Sequence, residues 1–412
     1  MWQNYSMKVA PAKTNTTTAT CPACGLLCDD VVIENNQQRI KVLANGCTKS
    51  ITFFEQPLND TKPQINGKSA TMQQAISHAV KLLKASQQPL FAGLSTDVAG
   101  FRSLYHLSQK TNSSLQHINA PSMARNMKVL QSTGWQTTTL TEVKNRADVI
   151  VCFGDISKHN PRFFERFVDI DGTFVQAKVR KIIVIGEANS NGIIKSNALE
   201  GAQILACRAD DLPSITIALR ALVAGKRLKS TEIAGVKLSD LQSLADTLKA
   251  AKYAVLAWVA KDLDFPHAEL TIQNITETVA ILNQSASNHS GRAAGLPLGG
   301  SDGDTSTNNT NTWLSGLALN DKPIEHDCML WVNSFSPEVL LPLKDKPLIV
   351  FGNSNCQFEG VPDVFIPIAT PGLDCSGTLF RVDSSVVLPL KKCRENSLPT
   401  LSEVVSEIEK LL

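Results

Sequence analysis

Aromatic side chains are scarce, at 6% of 412 residues, so the stacking platforms that hold nucleic-acid bases are not expected. Charge of one sign does not dominate. Forty Lys and Arg stand against 38 Asp and Glu, a net charge of +2, which removes the electrostatic case for nucleic acid or an anionic membrane as partner. Long apolar runs are missing too. The longest, about Tyr253–Ala260, falls far short of the ~20 residues that cross a bilayer. The first twenty residues are polar and Thr-rich, with Thr14, Asn15, Thr16, Thr17, Thr18 and Thr20, and carry no apolar segment of the secretory type. The expectation is a cytoplasmic chain with a flexible tail over 1–20, in which ten cysteines stay reduced. No P-loop, Gly-x-Ser-x-Gly elbow or His-Glu-x-x-His helix occurs, so those nucleotide, hydrolase and zinc chemistries are not indicated.

The apolar content of 43% is that of an ordinary globular chain. Val31–Ile33 and Ile40–Leu43, either side of Asn35-Asn36, read as a hairpin. From about Thr71 helical spacing (Met72, Ala75, Ile76, Ala79, Val80, Leu83) alternates with short apolar runs at Leu90–Leu94, Asp148–Gly154 and Lys181–Gly186. A helix over Leu212 to Gly225 ends that series, with Gly225 placed as a stop. A second series begins near Ala251, with strands expected at Tyr253–Val259, Cys328–Val332, Leu348–Gly352 and Val364–Pro367 and a helix over Leu270 to Leu282. Continuous apolar strands separated by helices predict parallel sheets buried on both faces. The expected division is 1–20 tail, 21–66 cysteine-rich β domain, 67–250 first α/β domain, 251–400 second α/β domain and 401–412 C-terminal helix. Ser301–Thr312, which has no apolar periodicity, reads as a polar loop.

The cysteines are unevenly placed. Cys21-x2-Cys24-x3-Cys28 and then Cys47 form one group, the stretch from Cys47 to Cys152 holds none, and Cys152, Cys207, Cys328, Cys356, Cys375 and Cys393 are scattered. Thiolates are soft ligands suited to zinc or iron–sulfur clusters. Structural zinc sites usually pair two Cys-x2–4-Cys knuckles. Here three sulfurs crowd one loop and the fourth stands apart, which favours a [4Fe–4S] cluster over zinc, thiols without metal being the other alternative. Lys49 is either a cation beside such a cluster or a solvated lysine. Asp29-Asp30 reads as turn structure rather than paired acid–base groups. The six scattered cysteines read as small buried hydrophobes.

Cys21-Pro22-Ala23-Cys24-Gly25-Leu26-Leu27-Cys28-Asp29-Asp30 and Cys47-Thr48-Lys49-Ser50 resemble the N-terminal signature of the B subunit of formylmethanofuran dehydrogenase, of the molybdopterin oxidoreductase superfamily. Further segments are similar in order: Leu140–Ile150, Asn160-Pro161-Arg162-Phe163, Ala218–Leu222, Pro362–Pro367 and Gly377–Asp383. The resemblance covers about 21–390. It implies two Rossmann-like α/β domains after the cysteine-rich domain, without the C-terminal β-barrel, which the D subunit supplies in this family. It makes Cys21, Cys24, Cys28 and Cys47 the metal ligands.

In complete members of the family a tungsten or molybdenum held by two pyranopterins reduces carbon dioxide to formate. A cysteine or selenocysteine in the loop after the first α/β strand ligates that metal. Here the loop is Gly93–Gly100, and the ligand position falls near Val98 or Ala99, neither of which has a lone pair to offer. Asp97 is a substitute ligand or, as base rates favour, the cap of the following helix. The loss points to the formyltransferase/hydrolase branch of methylotrophic bacteria, which moves a formyl group from tetrahydromethanopterin to a methanofuran-like carrier and releases formate. There, the A, C and D subunits are the partners and handle the carrier, and tungsto- or molybdopterin is not expected. An active tungsten or molybdenum protein is the alternative. His159, Arg162 and Arg166, in the loop after the Val149–Phe153 run, meet pterin phosphates or an anionic substrate, or else contact a partner protein of the complex. Gly299 and Gly300, in Gly295–Gly300, are a pterin-binding remnant or loop punctuation.

Overall fold

Runs of Val, Ile, Leu and Phe become the central strands of two parallel sheets. The computed structural model describes residues 16–36, 39–187, 196–285, 291–319, 322–338, 345–358 and 360–412. One sheet has five parallel strands in the order Gln203–Leu205, Lys181–Ile185, Val149–Phe153, Tyr253–Val259, Arg292–Leu298. Side chains of successive strand residues point to opposite faces. Ile150 and Cys152 accordingly enter one apolar cluster, and Val149, Val151 and Phe153 another. Both faces are dry, which explains why these strands read as continuous apolar runs.

The other sheet has seven strands: Lys68–Ser69, Gln64–Ile65, Val364–Ile368, Leu348–Asn353, Cys328–Asn333, Pro89–Ser95, Ser114–His117. Only its first two are antiparallel additions; the rest run parallel. The chain leaves this sheet after Ser114–His117, builds the whole five-stranded sheet, and returns at Cys328. The division expected at 250/251 is therefore not where the sheets divide. Tyr253–Val259 lies between Val149–Phe153 and Arg292–Leu298, while Pro89–Ser95 pairs with Cys328–Asn333. Parallel neighbours are joined by crossovers, and a buried apolar strand carries no mark of the sheet it joins.

The cysteine-rich segment forms a separate three-stranded antiparallel sheet, Thr16–Ala19, Val31–Asn36 and Arg39–Ala44. The hairpin expected around Asn35-Asn36 is present in its strands. The tail expected over 1–20 is shortened, because Thr16–Ala19 pairs in register with Val31–Glu34; residues 1–15 lie outside the described residues. Ser301–Thr312 is not a loop either. Asp304–Ser315 is a helix, begun at Gly303 (φ +72°) and stopped at Gly316 (φ +74°) in the left-handed conformation. Its buried side is polar: Ser306, Thr307, Thr310 and Asn311, with Thr307 Oγ1 on the Leu94 carbonyl at 3.2 Å and Ser306 Oγ accepting from the Phe380 N–H at 2.8 Å.

The C-terminal helix Leu401–Leu411 starts on a capping box. Glu403 N–H donates to Thr400 Oγ1, and Thr400 N–H donates to the Glu403 carboxylate at 2.7 Å. Leu401, Val404, Val405 and Ile408 bury its apolar stripe against helices Met72–Ala85 and Val98–Thr111. No helix among the described residues is long and apolar enough to cross a membrane.

Candidate functional site

Cys21 to Cys28 form a tight loop closed by the Cys21 N–H donating to the Cys28 carbonyl at 2.8 Å. Leu26 and Leu27 anchor it in the core, Leu27 in the left-handed conformation at φ +46°. Cys21, Cys24 and Cys28 are buried, and Cys47, at the N-terminus of helix Thr48–Phe54, is half-buried. The four thiols lie close enough to repel one another as thiolates. Burial pushes the Cys21 thiol far up and the Cys24 thiol up to about 12. Burial also raises Cys28, opposed chiefly by the charge of the nearby Arg166 guanidinium. Among the described residues no three His, Cys, Asp or Glu side chains form a group that could hold a metal ion.

The loop fits against its neighbours only because of glycine. Gly25 N–H donates to the Gly300 carbonyl at 2.7 Å, and Val382 N–H donates to the Gly25 carbonyl at 2.9 Å. A Cβ on Gly25 would lie 2.7 Å from both the Gly299 oxygen and Val382 Cβ. Gly299 (φ +109°) has both its N–H and its carbonyl taken by the Asn160 side chain, each at 2.8 Å. Gly299 and Gly300, expected at a cofactor, thus have these backbone groups committed to the protein. Gly295 belongs to a strand, not to a loop.

The segment after strand Val149–Phe153 grips the same loop from the other side. Arg162, with its side chain 5% exposed, forks onto Asp30 with both Nη atoms at 2.8 Å and turns Nε to Glu165 at 3.0 Å. Arg166 Nη2 donates to Asp29 at 2.6 Å. Burial disfavours the Asp30 carboxylate, but the Arg162 fork and the charge of Arg166 more than offset it, leaving its pKa below the usual carboxylate range. The phosphate contact expected of Arg162 is therefore replaced by a structural ion pair. Asp29 and Asp30, read as turn residues, are its acidic half. Lys49 Nζ donates to the His159 carbonyl at 2.9 Å, and His159 Nε2 is 2.7 Å from Asp262 Oδ1.

A cavity of about 300 Å3 opens beyond the C-terminal ends of strands Tyr253–Val259 and Arg292–Leu298, where open α/β sheets bind ligands. Lys49, His159, Gly299, Gly300, Lys261, Asn119 and Asp304 give it a polar wall, and Met123, Met127, Trp135, Pro297 and Leu298 an apolar one. His159 is the one residue of the expected Arg/His set to reach it; Arg162 and Arg166 do not line it. Asn119 and Lys261, 3.2 Å apart through Oδ1 and Nζ, carried no sequence signal, being single polar residues at the ends of distant elements.

The loop after strand Pro89–Ser95 settles the role of Asp97. Its Oδ1 accepts from the Gly100 N–H at 3.0 Å, capping helix Val98–Thr111, and its Oδ2 accepts from the Thr378 N–H at 3.1 Å. Asp97 is 6% exposed, and burial raises its pKa. Val98 is partly exposed and Ala99 exposed, and neither side chain carries a donor atom. The loop thus presents no thiolate to a tungsten or molybdenum centre, and its one carboxylate is buried and tied to two backbone N–H groups.

No family model matches the chain. It is 24% identical over 434 aligned residues to the B subunit of tungsten-containing formylmethanofuran dehydrogenase 2 from Methanococcus maripaludis, spanning 95% of this chain and 96% of that protein. It is 25% identical to the B subunit of the formyltransferase/hydrolase complex Fhc of Methylorubrum extorquens, over 78% of this chain and 89% of that one. Among solved structures it resembles a chain of the formyltransferase/hydrolase complex (FhcABCD) from Methylorubrum extorquens in complex with methylofuran. That match has a TM-score of 0.70 at 23% identity and covers 85% of this chain and 98% of that chain. Acetylene hydratase from Pelobacter acetylenicus shares the fold more distantly, with a TM-score of 0.57 at 9% identity over 96% of this chain and 69% of the other.

Proposed function

We infer that this chain, a homologue of the B subunits of formylmethanofuran dehydrogenase and of the Fhc complex, is the B subunit of a cytoplasmic formyltransferase/hydrolase complex. The complex delivers a formyl group to formate in tetrahydromethanopterin-linked one-carbon metabolism. In this reading the chain is a structural component that keeps an iron–sulfur site and has lost its tungsten or molybdenum centre. The A, C and D subunits are its partners, and they carry the formyl chemistry and the methanofuran-like carrier.

The observation that carries the reading is the committed state of Asp97 beside Val98 and Ala99. A soft metal at that position would have no thiolate, and the one carboxylate there is held as a helix cap. Cys21, Cys24, Cys28 and Cys47 would hold a [4Fe–4S] cluster, which supplies one-electron transfer when bound. The buried loop that carries Cys21, Cys24 and Cys28, with Cys47 at the start of the helix beside it, supports that assignment. The same four cysteines, with the tungsten-containing relatives, favour the second reading, an active tungsten or molybdenum protein.

The test is the activity of the co-purified complex. The first reading expects formate release from the formylated carrier with no electron acceptor present, and no formate oxidation by an artificial acceptor. Acceptor-dependent formate oxidation that co-purifies with this chain would establish the second.

A further inference from the structure

We propose that the cavity beyond strands Tyr253–Val259 and Arg292–Leu298 binds a small organic carboxylate, with its apolar body on Met123, Met127 and Trp135 and its charge on the ammonium groups of Lys49 and Lys261. Neither the cysteine set nor the loop of Asp97 lines this cavity.

Both lysines enter the wall without a counter-charge. Lys49, half-buried on helix Thr48–Phe54, donates from Nζ to the His159 carbonyl at 2.9 Å. Lys261, in the short turn Ala260–Asp262 that follows the strand, donates from Nζ to Asn119 Oδ1 at 3.2 Å. An ammonium has three donors. One on each lysine is met by a neutral oxygen, and among the described residues neither lysine pairs with a carboxylate. The acids nearby are bound elsewhere. Asp262, next to Lys261 in sequence, turns to His159 at 2.7 Å and to Lys158 at 3.7 Å. Asp304 accepts from the Thr305 N–H at 2.6 Å, and Asp383 accepts from the Leu140 N–H and the Arg381 guanidinium, each at 2.8 Å.

The apolar wall comes from Met123 and Met127, one turn apart on helix Ala120–Ser132, and from Trp135 beyond its end. Thioethers and an indole adapt to flat or flexible apolar groups. The volume of about 300 Å3 lies at the small end of small-molecule sites. Phosphate cradles are built from glycine N–H groups and arginine forks. Here the Gly299 N–H is taken by Asn160 Oδ1 at 2.8 Å, and no arginine is among the described lining residues. Two ammonium charges beside an apolar surface fit a carboxylate instead.

The experiment is a calorimetric titration of the co-purified complex with phenylacetate and hexanoate, an aromatic and an aliphatic probe, and with phenyl phosphate and benzyl alcohol for comparison. Wild type, Lys261→Met and Met127→Glu are compared. Lys261 is exposed, so Lys261→Met is expected to melt with wild type, while Lys49 is left in place because it also ties its helix to His159. The expected result is saturable binding of a carboxylate probe by wild type, with phenyl phosphate and benzyl alcohol both weaker. Lys261→Met weakens that binding by about tenfold, the loss of one charge-assisted hydrogen bond. Met127→Glu, which sets a like charge in the apolar wall, weakens it at least as much. No saturable binding of either carboxylate by wild type overturns the proposal. Binding that both variants leave unchanged lies on another part of the complex and overturns it too. Phenyl phosphate bound more tightly than both carboxylates overturns the ligand class, and benzyl alcohol bound equally well overturns the role of the lysines.

Discussion

Arg162 and Asp30 meet in a two-point ion pair, with both Nη atoms 2.8 Å from the carboxylate oxygens across 132 positions of chain. The pair fastens the cysteine loop to the five-stranded unit. Asp30→Ala leaves a buried guanidinium with Glu165 alone. The cost expected is about 1–3 kcal/mol in chemical denaturation. Asp30 is itself 37% exposed, and water screening keeps the loss toward the low end.

The same pair sets an acid limit. The folded-state pKa of Asp30 lies below its unfolded value, so its contribution is complete above the ordinary aspartate value of about 3.9. That contribution is lost as pH falls through the folded-state value. Thermal unfolding across the acid range should therefore show a shallower loss of stability in Asp30→Asn than in wild type. Parallel acid limbs would show that the pair makes no pH-dependent contribution.

Gly25→Ala tests the fit of the cysteine loop. The added methyl would sit 2.7 Å from the Gly299 oxygen, a backbone atom that cannot turn away. The loop must shift, at roughly 1–3 kcal/mol, and with it the spacing of Cys24 and Cys28. Lower thermal stability together with lower iron content is the expected pair of results. Full iron content would show that the loop tolerates the methyl group.

Asp374 and Arg394 form a buried pair, with side chains 1% and 0% exposed and Nε 2.6 Å from Oδ1. Arg394 Nη1 also donates to the Gln56 carbonyl at 2.7 Å, tying the C-terminal segment to the chain just after the cysteine-rich sheet. Asp374→Ala leaves an uncompensated buried cation. An unfolding free energy lower by about 3–5 kcal/mol is expected, far more than a surface substitution gives.

Asp97→Ala removes the helix cap and the tie to Thr378. Stability should fall by about 1–2 kcal/mol with the metal content of the complex unchanged. Tungsten or molybdenum present in wild type and lost from this variant would make Asp97 a ligand.

What the sequence makes legible follows from what each residue must satisfy locally. Three cysteines in eight residues announce a loop chemistry, and runs such as Ile182–Ile185 announce buried strands. Tyr253–Val259 cannot announce which sheet it joins, because an apolar strand packs equally well in either. Asp304–Ser315 is hidden for the opposite reason: its inward face is Ser, Thr and Asn, held by hydrogen bonds instead of apolar burial. Arg162 and Arg166 stand at the end of a parallel strand, where a ligand is the natural expectation. Their partners Asp30 and Asp29 lie 132 and 137 positions away, a pairing that only the fold creates. Asp97 is readable because a cap needs only the residues that follow it.

Metal analysis of the co-purified complex tests the central claim most directly. The account predicts about four irons per chain and neither tungsten nor molybdenum. Roughly one tungsten or molybdenum per chain would contradict it.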